Sequence, residues 1–221
     1  MNRLAAVAVG ALSLALVAAY SHGGWAVVTI TDAPDYLAAG SPTELTFQVR
    51  AHGREPIGRL HPQLEARSGR TRVAARVSET SERGTYRATF TVPTPGQWTV
   101  RIDADFGRSR GETLPWRAVA AGAHAPTMSE PERGRQLFAA RGCVSCHVHR
   151  SVDVQGEANT TGPELTDKRF AAQYLAAFLA DPSIKPQAPN GMRMPNLGLS
   201  SREIGALVAF INQPGAQVTS R

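Results

Sequence analysis

The chain has 221 residues, 42% of them apolar and 19% charged, which excludes an extended disordered protein and leaves room for two modest domains. Its 24 basic and 18 acidic residues give a net charge of +6. The basic residues are dispersed rather than run together, so there is no nucleic-acid stripe, and the mild positive charge suits transient docking on an acidic partner.

Met1-Asn2-Arg3 is followed by an apolar run from Leu4 to Tyr20, and the next acidic or basic residue is Asp32. A short basic start before such a run is the pattern of an export signal. Small residues at Ala19 and Ser21 suit cleavage before His22, with a second such pair at Gly24 and Ala26. The run is Ala-rich and short of the roughly 20 residues of a membrane span, so a cleaved signal over 1–21 is favoured over an uncleaved anchor. The expected location is the periplasm or the outer face of the cytoplasmic membrane, with membrane association through the anchor as the alternative.

Residues 22–118 read as a string of short β-strands: Trp25–Ile30, Glu44–Arg50, Leu60–Arg67, Thr71–Val77, Thr85–Val92, Gln97–Ala104 and Glu112–Ala118. Apolar and polar side chains alternate most clearly from Thr85 to Val92 and from Trp98 to Asp103, as half-buried antiparallel strands require. Pro93-Thr94-Pro95-Gly96, Ser68-Gly69 and Arg83-Gly84 supply the turns. Seven such runs suggest a β-sandwich. Gly84-Thr85-Tyr86, Phe90 and Pro95-Gly96-Gln97-Trp98-Thr99-Val100 resemble the immunoglobulin-like YtkA- and FixG-type accessory domains of exported bacterial proteins. That resemblance implies docking or spacing, since the fold carries no chemistry by itself.

Residues 119–127, rich in small residues and holding Pro126, read as a linker to a second domain over 128–221. There the period becomes helical. Ser129-Glu130-Pro131-Glu132 is a capping-box pattern opening a helix that runs through Arg141 and ends at Gly142. A middle helix is expected over Asp167–Ala180, with Phe170, Tyr174, Leu175, Phe178 and Leu179 on one apolar face, stopped by Asp181-Pro182. Ser200-Ser201-Arg202-Glu203 is a second capping box, opening a last helix to about Asn212, which Pro214-Gly215 closes.

Cys143-Val144-Ser145-Cys146-His147 is C-x-x-C-H, the attachment pattern of c-type haem: two thiols add to the porphyrin vinyl groups, and the adjacent His147 reaches the iron. A thioredoxin-like dithiol would want a βαβ setting and a zinc site would want four ligands, whereas the flanks here are helical and the chain holds only two cysteines. Export normally suggests a disulfide, but this spacing reads as one covalent haem c with its iron. Beyond the motif only Met192 and Met194 offer a thioether for the far side of the metal.

Residues 128–213 resemble the class I cytochromes c, through the attachment motif, Gly134 and Phe138 with Phe210 at the helix crossing, and Gly162-Pro163-Glu164-Leu165. The resemblance implies an all-α fold and one-electron transfer by a carrier that does no bond chemistry. It makes Met194, in Met194-Pro195-Asn196-Leu197, the sixth ligand rather than Met192. It also makes the Pro163 carbonyl the acceptor for Nδ1 of His147, with Pro163 and Leu165 against the haem. Val152–Thr161 departs from the family as a polar insertion. His149 is expected to face solvent or to be hydrogen-bonded rather than to bind metal, and His22, His52 and His61 are too isolated to favour a copper site over plain surface histidines. The expected partners are redox proteins, a membrane respiratory complex or terminal oxidase among them; a haem-bearing subunit of such a complex is the rival reading, and a peroxidase or gas-binding protein a more distant one.

Overall fold

The computed structural model describes residues 24–154, 161–185 and 193–213. The export segment 1–21, His22, Met192, the core of the polar insertion and Pro214-Gly215 lie outside the described residues.

Eleven strands make up the first part of the chain: β1 (Ala26–Ile30), β2 (Leu37–Ala38), β3 (Thr43–Ala51), β4 (Glu55–Pro56), β5 (Gln63–Ser68), β6 (Thr71–Ala74), β7 (Arg76–Glu79), β8 (Thr85–Phe90), β9 (Gly96–Asp103), β10 (Arg110–Glu112) and β11 (Trp116–Val119). One sheet has the order β1-β3-β8-β7 with β4 on β3, and the other the order β2-β11-β9-β5-β6 with β10 on β9. Every pairing is antiparallel except β2 with β11.

Two of the seven expected strands are broken. The run Thr71–Val77 changes sheets at Ala75, β6 pairing with β5 and β7 with β8. The run Glu112–Ala118 is interrupted at Thr113–Pro115, where Pro115 has no N–H to give a ladder. Strands β2 and β4, two residues each, are too short to show a period.

Alternation works as expected in the centre of each sheet. Leu45, Phe47 and Val49 of β3, Tyr86, Ala88 and Phe90 of β8, and Trp98, Val100 and Ile102 of β9 are buried in one shared core. Two of its aromatics have their polar tips satisfied: Tyr86 donates to the Ile57 carbonyl (3.0 Å) and accepts from the Leu60 N–H (3.1 Å), and the Trp98 indole donates to the Thr94 carbonyl (2.9 Å), whereas the buried Trp116 indole N–H has no partner among the described residues. Strand β1 differs, because all five of its residues are buried. Ala26, Val28 and Ile30 belong to the β core, and the pleat turns Val27 and Thr29 to the other face, which the helical part covers.

That part holds α1 (Glu130–Ala140), α2 (Ala172–Ala180) and α3 (Ser201–Ile211). Ser129 caps α1 by accepting from the Glu132 N–H at 3.4 Å, while the Glu132 carboxylate faces Arg135. At α3 the box is reciprocal, the Ser200 N–H donating to Glu203 at 2.8 Å. The middle helix is shorter than expected because Asn212 clasps the backbone of Phe170, accepting from its N–H at 2.9 Å and donating to its carbonyl at 3.0 Å. Helical hydrogen bonding therefore starts only at Ala172.

The exposed stretch 120–127 joins two parts that also pack directly. Ala140 of α1 belongs to the β core, and Leu114 belongs to the helical core. Asp35, in the loop after β1, accepts a two-pronged bond from Arg133 of α1 (2.9 Å each) and another from Arg202 of α3 (2.9 Å). The Arg133 hydrogen bond, aided by both positive charges, outweighs desolvation and holds the Asp35 carboxyl below its usual range. The stabilisation is therefore complete above the ordinary carboxylate pKa of about 4 and fades as pH falls toward the lower folded value. Asp35→Asn is expected to cost about 1–3 kcal/mol at pH 7, a gap that narrows below pH 4; urea unfolding from pH 7 to pH 3 measures it, and a pH-independent gap would refute this account.

Candidate functional site

Gly142 ends α1 with a φ of +74°, a left-handed turn that glycine adopts without strain. The chain then winds into a single 3-10 turn over Cys143–Ser145, and the His147 N–H donates to the Cys143 carbonyl at 2.9 Å. Both cysteines and the imidazole thereby emerge from one tight coil. Position 142 also has to be glycine for packing: a Cβ there would lie 2.6 Å from the Val28 carbonyl oxygen, so the coil sits directly on β1.

Residues 162–165 run alongside this coil, with the Gly162 N–H donating to the Cys146 carbonyl and the Leu165 N–H to the Val148 carbonyl, each at 2.9 Å. This brings the Pro163 carbonyl within 2.9 Å of His147 Nδ1. Burial lowers the imidazole's pKa and the Pro163 carbonyl partly opposes it, which favours a neutral ring. With Nδ1–H given to Pro163, Nε2 keeps its lone pair for a metal. Gly162 approaches so closely that a Cβ on it would stand 2.4 Å from His147 Cε1.

His147 faces a cavity of about 400 Å³. Cys143, Cys146, Pro163, Leu165 and Met194 all line it, so the sequence-predicted residues within the described part converge on one space. The apolar face of α2 lines it as well, through Tyr174, Leu175, Phe178 and Leu179, with Phe170 just before the helix. Tyr174 and Phe178 stack at 6.3 Å. Behind the cavity α1 crosses α3, with Phe138 and Phe210 edge-to-face at 5.6 Å. A buried ion pair locks the same crossing: Arg141, 3% exposed, donates to Glu203 at 2.8 and 2.5 Å. Burial pushes the Glu203 carboxyl up, but its bonds from Ser200 and Arg141 prevail and bring it down.

The thiols are half-buried, and no disulfide joins them. Desolvation pushes that of Cys143 up to about 12 and that of Cys146 upward too. A redox-active dithiol needs the opposite shift, so the pair is chemically unlike a thioredoxin site.

His149 does not face solvent. It is 7% exposed, its ring 4.4 Å from that of Phe210 and 5.9 Å from that of Phe138, with Ser151 Oγ 3.0 Å from Nδ1. The helix crossing needed a flat side chain there, and the hydroxyl of Ser151 satisfies its polar edge. His61 lies exposed near Asp105 and His124 is exposed in the connecting stretch. Among the described residues no three His, Cys, Asp or Glu side chains cluster as metal ligands.

Two residues of the β region, Val27 and His52, also line the cavity. Nothing in a two-domain reading pointed to them. The available signal was Ala26-Val27-Val28-Thr29-Ile30, a strand without polar alternation, which is the mark of coverage on both faces.

Residues 131–214 match the family model of cytochrome c. That segment is a cytochrome c domain. It carries covalently bound haem c with its iron, and its chemistry is haem-based electron transfer. The residues present fit such a group: a largely apolar cavity lined by both thiols, an imidazole oriented by the Pro163 carbonyl, and a glycine at 162 where a side chain would displace that imidazole. No curated protein matches the chain. Among solved structures, domains 1–6 of the surface layer protein SbsC are 17% identical with a TM-score of 0.34, covering 46% of this chain and 14% of that one. The ZirS C-terminal domain is 10% identical with a TM-score of 0.34, covering 54% of this chain and 86% of that one. Likenesses this slight bear on neither fold nor function. Among the described residues no helix is long and apolar enough to cross a membrane.

Proposed function

We propose that the chain is an exported one-electron carrier whose haem is attached through Cys143 and Cys146 and ligated by His147 and Met194. What carries the reading is that His147, oriented by the Pro163 carbonyl, and Met194 line the same apolar cavity as both cysteines. When bound, the haem would supply the chemistry, a one-electron change at iron. The protein's part is to keep both ligands in place, to exclude water with Leu165 and the aromatic face of α2, and to favour the ferrous state through a thioether.

The N-terminal apolar run supports a carrier in the periplasm or on the outer face of the cytoplasmic membrane, and the turn-punctuated strands of the β region support an immunoglobulin-like accessory domain. Its partners are redox proteins with acidic surfaces, such as a membrane respiratory complex or terminal oxidase. A peroxidase or gas-binding protein needs an open sixth position, which Met194 fills.

Expression in a host that matures c-type haem, followed by visible spectra, tests this directly. The alkaline pyridine spectrum should be that of haem c, and the ferric protein should show the far-red methionine-to-iron charge-transfer band. Met194→Ala should lose that band and bind imidazole at least 10-fold more tightly. Absence of covalent haem would overturn the assignment of the cysteines, and haem without the band would overturn that of Met194.

A further inference from the structure

Between β3 and β4 the chain reverses through two left-handed residues, His52 with φ +49° and Gly53 with φ +74°. For a residue with a Cβ that conformation is strained, and such outliers persist where their surroundings over-determine them. Here the backbone N–H groups of His52, Gly53 and Arg54 donate to the carbonyls of Trp25 (3.0 Å), Arg50 (3.1 Å) and Ala51 (2.9 Å). The Trp25 ring meets the His52 imidazole edge-on at 5.6 Å.

The turn belongs to the β region, yet it borders the haem cavity. His52 stands exposed at the cavity wall, while Gly53 is buried. A Cβ on Gly53 would lie 3.4 Å from Cγ of Pro195 and 3.4 Å from Cγ2 of Val27. The turn therefore faces the residue that follows Met194, leaving between them no more room than a single methyl group would fill. At the other end of the same surface, β1 seats Gly142, the residue before Cys143. One sheet edge thus borders both the attachment coil and the methionine loop.

We infer that the His52–Gly53 turn is a strap on the methionine loop: it backs Pro195, keeps the Met194 thioether in the haem cavity, and narrows the cavity to outside ligands. This rests on the reading of Met194 as sixth ligand. It makes the β region a working part of the haem site, with His52 and Gly53 as positioning residues, rather than a spacer joined to a self-sufficient cytochrome.

The test uses the full-length ferric holoprotein. His52→Gly removes the ring while relieving the left-handed strain, so a purely structural turn would tolerate it or gain from it. Gly53→Asn keeps a residue that accepts φ > 0 but drives a side chain toward Pro195. Val100→Ala, in the β core away from the cavity, lowers stability without touching the strap. The far-red band and imidazole affinity are measured well below every melting temperature. Both strap variants are expected to weaken the band and bind imidazole at least threefold more tightly, with Val100→Ala unchanged. A wild-type band with both variants inside threefold, or Val100→Ala shifting as far as they do, overturns the strap alone. A wild type lacking the band removes Met194 as a ligand and the strap with it.

Discussion

Gly162→Ala is expected to disable the haem-binding coil while leaving the rest of the protein folded. Its new Cβ would meet the His147 ring at 2.4 Å from Cε1 and 2.6 Å from Nδ1. Neither partner can yield cheaply. The ring is tied through Nδ1 to the Pro163 carbonyl at 2.9 Å, and the Gly162 backbone is tied to the Cys146 carbonyl at 2.9 Å. Overpacking a fixed site costs about 1–3 kcal/mol, occasionally more, and here the strain falls on the imidazole that would hold iron. The ferric and ferrous spectra should depart from wild type, and the midpoint of urea unfolding, followed in the haem band, should fall. Pro163→Ala keeps the carbonyl and should do far less. A Gly162→Ala protein with wild-type spectrum and midpoint would mean that the ring sits elsewhere once haem is attached.

What the sequence made legible was local. Cys143, Cys146 and His147 lie within one turn of chain, and Met194-Pro195 and Gly162-Pro163 are contiguous, so their chemistry shows without any knowledge of packing. The cap at Ser200 and the alternation in β8 and β9 are local in the same sense. Features decided by distant partners stayed hidden. The clasp of Asn212 on Phe170 joins residues 42 apart and removes the first turn of the expected middle helix. The burial of His149 follows from how α1 and α3 cross, and the break at Ala75 from which sheet had room for each half of the run. The part played by Val27 and His52 required two regions to meet, of which only the unbroken apolar run of β1 gave notice.

The helix crossing behind the cavity has a prediction of its own, because Gly134, the one glycine of α1, sits where that helix meets the backbone of α3. A Cβ at Gly134 would fall 2.0 Å from the Ala206 carbonyl oxygen and 2.6 Å from Phe210 Cβ. The obstacle is backbone of α3, so no rotamer change relieves it, and the helices have to move apart. That separation loosens the Phe138–Phe210 contact and the Arg141–Glu203 pair beside the attachment coil. Alanine improves helix propensity by about 1 kcal/mol over glycine, so any measured loss is net of that gain. Gly134→Ala is expected to lose about 1–3 kcal/mol overall, since a backbone obstacle puts the overpacking cost at or above the top of its usual range, which for a chain of this size lowers Tm by roughly 2–12 °C. Gly205, on the exposed side of α3 with nothing within 4 Å of its would-be Cβ, provides the contrast. Gly205→Ala should instead stabilise, by about 0.5–1 kcal/mol. Thermal melts of the two holoproteins, followed at the haem band and in the far ultraviolet, should move in opposite directions; a Gly134→Ala protein that melts no lower than wild type would show that α1 and α3 do not touch as closely as this crossing demands.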